Sequence, residues 1–366
     1  MPDMRFAPPN PLRIADRASG LNALSVRSYN ERLVLSLLLQ NEGTSRMEIG
    51  EKTGLSAQTV SVIVRSLEQE GLVAKGEAQR GRVGPPTIPL SLNPEGAYAV
   101  GISFSYRKVD VVLIDFVGKV RFHRHLPLEM IGNDDQAHLL DLVGRAVADL
   151  PASLHGRIAG IGLAIPEGIE SWAGLRNGTL LDPAALQARI EKQAGLPVFV
   201  QNDITAAAGG ESMFGVAKPL SDYLFFYLGA RLHSRLILNH QIYHGNSKVS
   251  FDVGILSLEE MLAARRQPTD ALWERNSQWP DYGETFESWR RNCREKLVQS
   301  IEALSQFVDV GTVVLSSYAP VAVCQGICDD LGRALPDIHA LAGGIEISPK
   351  AVGAASLPFS SRFMVK

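Results

Sequence analysis

The hydrophobic pattern of this sequence changes at about residue 93, and this change narrows the folds open to the chain more than any other feature. Residues 22–92 contain three stretches of helical periodicity and then two short runs of β-strand character, LVAKGEA and TIPLSLN. Residues 93–366 alternate short apolar runs, the last of them IEIS (345–348), with helical stretches in two successive halves. This alternation predicts an α/β body of two lobes behind a small helical domain. Residues 1–21 are rich in proline and arginine without any sustained period and predict a flexible arm.

The composition describes a globular protein of two or three domains. The chain has 366 residues, of which 45% are hydrophobic and 20% are charged, and these values exclude the disordered class. No apolar run is long enough to cross a bilayer, and the first residues, MPDMRFAPPNPLR, lack the apolar core of a secretion signal. We therefore expect a cytoplasmic protein with no membrane partner.

The cysteines and the charge distribution add two weaker constraints. Cys293, Cys324 and Cys328 lack the paired spacing of a zinc site, so we expect reduced thiols and no bound metal. The formal net charge is −3, but residues 1–92 hold 11 lysines and arginines against 9 aspartates and glutamates. Because this local excess is small, any binding of DNA would have to depend on individual basic groups.

The predicted order of elements up to residue 92 is helix, helix, turn, helix and a two-stranded hairpin. The first helix lies in SYNERLVLSLLLQ. Ser45 and Glu48 have capping-box spacing for a short second helix that ends at Gly54. A third helix begins at Ser56 and stops before Gly71. This order is that of a winged helix-turn-helix DNA-binding domain, which we assign to residues 22–92.

The third predicted helix has one apolar and one polar face. Its apolar residues, at spacings that bury one side, are Val60, Ile63, Val64 and Leu67. The candidate DNA-contacting residues, at its start and on its other side, are Ser56, Gln58, Thr59, Ser61 and Arg65. In a major groove glutamine can address adenine, serine and threonine can address a base or a phosphate, and arginine can address guanine or a phosphate. Ser56 would also cap the helix and leave its first amides directed at the DNA backbone.

The tip of the predicted hairpin carries two further candidates, Arg80 and Arg82, next to glycines. Such a basic tip can enter a minor groove or contact phosphates. The alternative interpretation is that residues 56–70 form a solvated surface helix of an enzyme. The capped second helix, the turn at Gly54 and the basic tip together favour DNA binding, because a single amphipathic helix would not distinguish the two.

Six segments distributed along the chain carry a combined pattern. They are RSYNERLVLSLL, GLSAQTVSVIVRSLEQEGLV, PLSLNPEGAYAVGI, IGLAIPEGI, QNDITAAAGGE and AVGAASLPFSSRF. Together they resemble the regulator branch of the ROK family (repressors, open reading frames and sugar kinases). The resemblance implies a winged helix-turn-helix joined to a degenerate two-lobed body, residues 93–366, of the actin/sugar-kinase-like (ribonuclease-H-like) fold. It also implies a homodimer or homotetramer that binds double-stranded operator DNA and responds to a sugar effector.

The same resemblance locates the two loops with which sugar kinases of this fold hold ATP. The first, Asp-x-Gly-Gly-Thr in the kinases, reads SFSYR at 103–107, without the glycines that admit phosphate or the aspartate that binds the metal. The second, Gly-Thr-Gly-x-Gly-Gly-Gly in the kinases, reads Gly229 followed by ARLHSR. Arg231 and Arg235 could contact phosphate themselves, but both the glycine turns and the metal ligand are missing. We therefore expect no phosphoryl transfer, no catalytic residue and no cofactor.

A sugar site is only half retained in comparison with the family. Asn202 and Asp203 match its sugar-hydroxyl ligands, and Asp203 stands where a kinase has its general base. Alternatively, Asp203 caps the helix that begins at Ile204, and the two roles are compatible. Asp252 replaces the family's glutamate, Ile255 stands in the place of its histidine, and the zinc loop is missing. Asn202, Asp203 and Asp252 are the candidate ligand-binding residues.

Three functions remain open at this point. The first is a DNA-binding regulator, in particular a repressor of carbohydrate-related genes under the control of a sugar or sugar derivative. The second is an ATP-dependent sugar kinase, which the lost glycines disfavour. The third is a DNA-binding scaffold that needs no effector, which Ile255 and the missing zinc loop leave open. Trp273, Trp279 and Trp289 are expected in a core or an interface rather than stacked on a sugar.

Overall fold

The computed structural model describes residues 29–78, 88–131, 137–166, 182–243, 250–274 and 278–365. The arm predicted for 1–21 and the wing-tip residues Arg80 and Arg82 lie outside these ranges. Within them, every helix is either too short or too polar to pass through a bilayer.

The amino-terminal domain has the predicted order of elements. They are α1 (Tyr29–Gln40), α2 (Arg46–Thr53), α3 (Ala57–Gln69), β1 (Val73–Lys75) and β2 (Leu90–Leu92). The two strands pair antiparallel, and a hydrogen bond from the Gly76 amide to the Pro89 carbonyl (2.8 Å) continues their ladder toward the wing tip. The winged helix-turn-helix architecture is thereby confirmed.

Local hydrogen bonds explain where α2 begins and ends. The Glu48 amide donates to Ser45 Oγ at 3.2 Å, and the Ser45 amide donates to Glu48 Oε2 at 2.7 Å, which completes the predicted capping box. Gly54 closes the helix at φ 71°, a left-handed conformation that glycine adopts without a steric penalty. On α3 the predicted apolar face is buried: Val60, Ile63, Val64 and Leu67.

The first lobe of the body is a five-stranded sheet. Its strands are β3 (Tyr98–Phe104), β4 (Lys108–Asp115), β5 (Val120–Pro127), β6 (Ile158–Ile165) and β7 (Val198–Asn202). Their order across the sheet is β5-β4-β3-β6-β7, with β3 to β5 as an antiparallel meander and β6 and β7 parallel to β3. Two helices, α4 (Ala137–Ala148) and α5 (Pro183–Ala194), cover one face.

The second lobe repeats this arrangement. Its strands are β8 (Tyr223–Leu228), β9 (Leu232–Leu238), β10 (Gln241–Ile242), β11 (Thr312–Ser317) and β12 (His339–Ala342), in the order β10-β9-β8-β11-β12. Its outer face is covered by α7 (Ile255–Ala264), α8 (Glu284–Ser305) and α9 (Val321–Ala334). Trp289 of α8 is 1% exposed in this core, which confirms its expected structural role.

Two helices lie between the lobes, α6 (Asp203–Phe214) and α10 (Pro349–Phe363). α10 packs on the sheet of the first lobe, whereas α6 contributes Ile204, Ala207 and Ala208 to the inner face of the second. The repeated strand order with two intervening helices is the two-lobed actin/sugar-kinase-like body that the sequence predicts. In such sheets ligands bind at the carboxyl ends of the strands, and this places the inter-lobe cleft at the ends of β3, β6 and β7.

One predicted strand is wrong. IEIS (345–348) is not a strand, and the last strand is instead β12, formed by the preceding residues HALA. The amides of Gly344 and Ile345 donate to the buried carboxylate of Glu211 at 3.1 and 3.3 Å instead of joining a β-ladder. A distant side chain therefore overrides the local strand propensity of this segment.

The amino-terminal domain shares a hydrophobic core with the first lobe. Val34 and Leu38 of α1 belong to the same cluster as Phe359 and Phe363 of α10. Arg157, just before β6, donates to the carbonyl of Glu95 at 3.0 Å, and the Asn93 amide donates to the carbonyl of Leu72 at 2.8 Å. The amino-terminal domain thus docks at the amino ends of β3 and β6, at the opposite edge of the sheet from the cleft.

Candidate nucleic-acid interface and inter-lobe cleft

The start of α3 is capped as the sequence predicts. Ser56 Oγ accepts a hydrogen bond from the Thr59 amide at 3.1 Å, and the two hydroxyls lie 2.8 Å apart. The remaining first-turn amides of α3 keep the partial positive charge of a helix amino terminus, which suits an anionic phosphate.

The polar side of α3 faces away from the body. Gln58 and Arg65 are exposed, and Thr59 and Ser61 are half-buried. Ser61 Oγ donates to the carbonyl of Ala57 at 2.8 Å, so its hydroxyl proton is already engaged within the helix. Gln58 and Arg65 are therefore the long side chains of this set that can reach an external partner.

Sequence reasoning missed Val62, whose side chain is 60% exposed on α3. Val62 lies four residues after Gln58 and three before Arg65, so the three share one side of the helix. An exposed apolar side chain between two polar ones can contact the methyl group of thymine. Its position opposite the buried stripe could be read from the sequence, although single apolar residues on a protein surface are common.

Asn202 and Asp203 lie at the junction of β7 and α6, where the inter-lobe cleft is expected. Asn202 ends β7, and its Oδ1 accepts from the amides of Ile204 and Thr205, both at 3.0 Å. The N-cap of α6 is therefore Asn202, and Asp203 Oδ1 also accepts from the Ile204 amide at 2.9 Å, as the alternative interpretation expects. Asp203 Oδ2 forms a buried ion pair with Lys350 of α10. The Lys350 ammonium also lies 4.7 Å from the centre of the Tyr227 ring.

Arg235 holds Asn202 in position through hydrogen bonds. Lying on β9, it donates from Nη2 to Asn202 Oδ1 at 2.7 Å and from Nε to Thr205 Oγ1 at 2.9 Å. His233, two residues before Arg235, lies near the positive charges of Lys350 and Arg235. Burial and then the charge of Lys350 lower the pKa of His233 to about 4, against a smaller opposing effect of Asp203. The imidazole is therefore neutral at physiological pH.

The structure places the third predicted ligand residue differently. The carboxylate of Asp252 is 95% exposed and lies 3.5 Å from Arg231 Nη1, rather than against Asn202 or Asp203. The assignment of Asp252 to a ligand site stays a prediction.

The position of the first kinase phosphate loop is occupied by a contact between the lobes. Arg107 Nη2 lies 2.5 Å from Glu259 Oε1 of α7, and its guanidinium carbon is 4.7 Å from the centre of the Trp273 ring. The Tyr106 ring packs on the same tryptophan at 5.5 Å. We call these four residues the inter-lobe latch. Bulky side chains and an ion pair thus stand where glycines would have to admit phosphate.

Glu211 shows that part of the QNDITAAAGGE segment has a structural role. Its buried carboxylate accepts from the amides of Val216 and Gly344 and from Ser316 Oγ, at 3.1 to 3.2 Å. Burial raises the pKa of Glu211, and these hydrogen bonds oppose the increase. The residue ties α6 to the carboxyl end of β11 and to the segment before α10.

Comparison with known proteins agrees with this two-part organisation. Residues 27–82 match the MarR family, and residues 99–267 match the ROK family. The xylose repressor of Bacillus spizizenii is 28% identical over 243 residues, which are 64% of this chain and 62% of that protein. This chain therefore matches about three-fifths of the length of that repressor.

Two solved structures share the fold. A ROK family transcriptional regulator, homolog of the E. coli MLC protein, superposes with a TM-score of 0.63 at 17% identity and covers 92% of this chain and 98% of its own. The ROK hexokinase from Thermus thermophilus reaches a TM-score of 0.50 at 17% identity over 70% of this chain and 96% of its own. The chain thus joins a MarR-type winged helix-turn-helix to a ROK domain, and its fold is similar to that of a ROK family transcriptional regulator.

Proposed function

We propose that this protein is a sequence-specific DNA-binding repressor of carbohydrate-related genes whose operator affinity is controlled by a sugar or sugar derivative. The observation that carries the proposal is the outward face of α3, where Gln58, Val62 and Arg65 share one side of a helix that begins at a capped amino terminus. The name of the xylose repressor, the relative described above, supports both the repressor role and the class of effector.

In this proposal α3 enters the major groove. Gln58 and Arg65 contact base edges, while Ser56, Thr59 and Ser61 contact phosphates or bases near the helix start. Arg80 and Arg82, which lie between β1 and β2 in the sequence, enter the adjacent minor groove. A homodimer or homotetramer in the cytoplasm would place two such helices about 34 Å apart on a palindromic operator.

The competing function, an ATP-dependent sugar kinase, is disfavoured by the inter-lobe latch. Phosphate would have to displace the Arg107–Glu259 pair and the ring of Tyr106 from the position that glycines occupy in the kinases. The fold alone does not separate the two functions, because a regulator and a hexokinase share it. A coupled assay of ATP consumption across hexoses and amino sugars is expected to give background rates, and turnover of any sugar would contradict this.

The effector site proposed here is the cleft at Asn202 and Asp203, with Asp252 as a third candidate. Both of the first two side chains already have internal partners in Arg235 and Lys350. This observation also favours the second candidate function, a DNA-binding protein that needs no effector. A thermal-shift screen with pentoses, hexoses, amino sugars and their phosphates separates the two, because a sugar that binds the cleft raises the melting temperature.

The decisive experiment for DNA binding uses fluorescence anisotropy with the DNA upstream of the protein's own gene. We expect binding that weakens as salt increases, since Lys and Arg contacts release counterions from phosphate. A scrambled duplex of equal length and composition is the control and should bind at least a thousandfold more weakly. Equal affinity for the two duplexes would refute a sequence-specific regulator.

A further inference from the structure

α10 connects the two candidate sites physically. Its first turn contains Lys350 in the inter-lobe cleft, and its last residue, Phe363, lies in the hydrophobic core shared with α1 of the DNA-binding domain. Fifteen residues of α-helix span about 22 Å. One helix therefore crosses the first lobe from the cleft edge of its sheet to the edge at which the DNA-binding domain docks.

At the cleft end, the position of α10 depends on Asp203. Lys350 is 9% exposed and Asp203 is 3% exposed, and each provides the counter-charge for the other. A buried charge that loses its partner is strongly unfavourable, so a ligand that separates Lys350 from the carboxylate favours a displaced Lys350. A polyhydroxyl ligand that donates to Asp203 competes with Lys350 for the same oxygen.

In its middle, α10 is too closely packed to absorb a displacement by bending. A Cβ atom added at Gly162 of β6 would lie 1.7 Å from the carbonyl oxygen of Ala354, and one added at Gly353 would lie 1.9 Å from that of Ala206. Glycines on the sheet and on the helix thus bring α10 into backbone contact with both of its neighbours. These contacts hold residues 349–357 as one unit, because close-packed interiors transmit strain. Pro358 interrupts the hydrogen-bond ladder of α10, so a displacement reaches the last turn through the packing of Phe359 and Phe363 on Phe116.

At its other end, the tail that follows α10 is bonded to the DNA-binding domain. The Val365 amide donates to Ser36 Oγ of α1 at 3.0 Å, and Arg32 Nη1 lies 3.5 Å from the carbonyl oxygen of Met364. A small crevice of about 30 Å³ borders this contact between α1, α6 and the second lobe, and both Ser36 and Met364 line it.

We propose that Lys350 occupies the effector's contact on Asp203 and that α10 carries its displacement to α1, so that filling the cleft weakens operator binding. This inference rests on the proposed function. Lys350 is a positioning residue here, since it does not touch DNA and acts through α10. The ligand class it implies is a polyhydroxyl compound with at least one hydroxyl group that donates to Asp203.

The test compares full-length Lys350→Met and Asp203→Asn with the wild-type protein by hydrogen exchange and operator affinity. We expect exchange to increase severalfold in both ends of α10 and also in residues 32–40 of α1, with operator affinity about tenfold weaker. Arg145→Met is the control, because it removes an exposed ion pair with Asp141 from α4, at a distance from α10 in the fold. It should change neither readout.

The double variant Lys350→Met/Asp203→Asn keeps the test valid if a single variant unfolds, because it removes both charges of the buried ion pair together. Increased exchange limited to the first turns of α10, with α1 and operator affinity unchanged, would overturn the relay. A wild-type protein that binds no DNA selectively would instead refute the proposed function, whatever the exchange pattern shows. The two failures are therefore distinguishable.

Discussion

The outer face of α3 and the inter-lobe cleft both present polar side chains, but they differ in whether those side chains are already engaged. Gln58 and Arg65 are exposed on a helix whose opposite side supplies its packing. In the cleft, Asn202 and Asp203 are held by Arg235 and Lys350. The first surface can bind a partner without losing internal contacts. In the second, a ligand has to replace contacts that stabilise the fold, and this couples binding there to conformation.

The largest expected difference between the two regions concerns stability. Lys350→Met leaves Asp203 buried without its counter-charge, and we expect the free energy of unfolding to fall by about 3 kcal/mol. Arg65→Ala should change it by less than about 0.5 kcal/mol, because an exposed surface position has no internal contact of this kind to lose. Urea denaturation followed by circular dichroism measures both. Equal losses would mean that the two regions do not differ as described.

The second prediction concerns the affinity for operator DNA. Arg65→Ala is expected to weaken operator binding about tenfold, or about 1.4 kcal/mol, through loss of a base or phosphate contact. The matched control is Arg145→Ala, which removes an exposed arginine from the body. Anisotropy titrations at one salt concentration compare the two variants. A loss that is as large for Arg145→Ala would show that general positive charge, rather than the face of α3, determines binding.

A third expected effect is the pH dependence of stability that arises in the cleft. The pKa of His233 is lowered from 6.5 to about 4 in the folded protein, first by burial and then by Lys350. The unfolded chain therefore binds a proton before the folded one does, so the contribution of the neutral imidazole is complete above about pH 6.5 and is lost as the pH falls toward 4. His233→Gln should reduce the loss of stability between pH 7 and pH 4.5.

The wild-type protein, measured at the same two pH values, is the reference for this prediction. An equal difference in unfolding free energy for His233→Gln and the wild-type protein would mean that the cleft does not disfavour the protonated form of His233.

What could be predicted from the sequence was mainly local. The capping box at Ser45, the turn at Gly54 and the buried stripe of α3 depend on residues within one or two turns of each other, and all three are confirmed. The two-lobed α/β body followed from the resemblance together with the alternation of strands and helices.

What sequence reasoning missed was non-local. Lys350 approaches Asp203 across 147 positions of the chain, and Glu211 captures the amide of Gly344 across 133, so neither contact leaves a periodic signal. The second of these contacts is the reason why IEIS is not a strand. Val62 was missed for another reason, since an apolar residue on an amphipathic helix is normally assigned to the core.

The central claim, that the outer face of α3 lies against DNA, is tested most directly by photo-crosslinking. A photoreactive phenylalanine analogue at Val62 should crosslink to an operator duplex, and the crosslink should disappear when unlabelled operator is added in excess. The same analogue at Phe307, which is 86% exposed just beyond α8 on the body, is the matched control and should give none. Crosslinking at Phe307 but not at Val62 would contradict the claim.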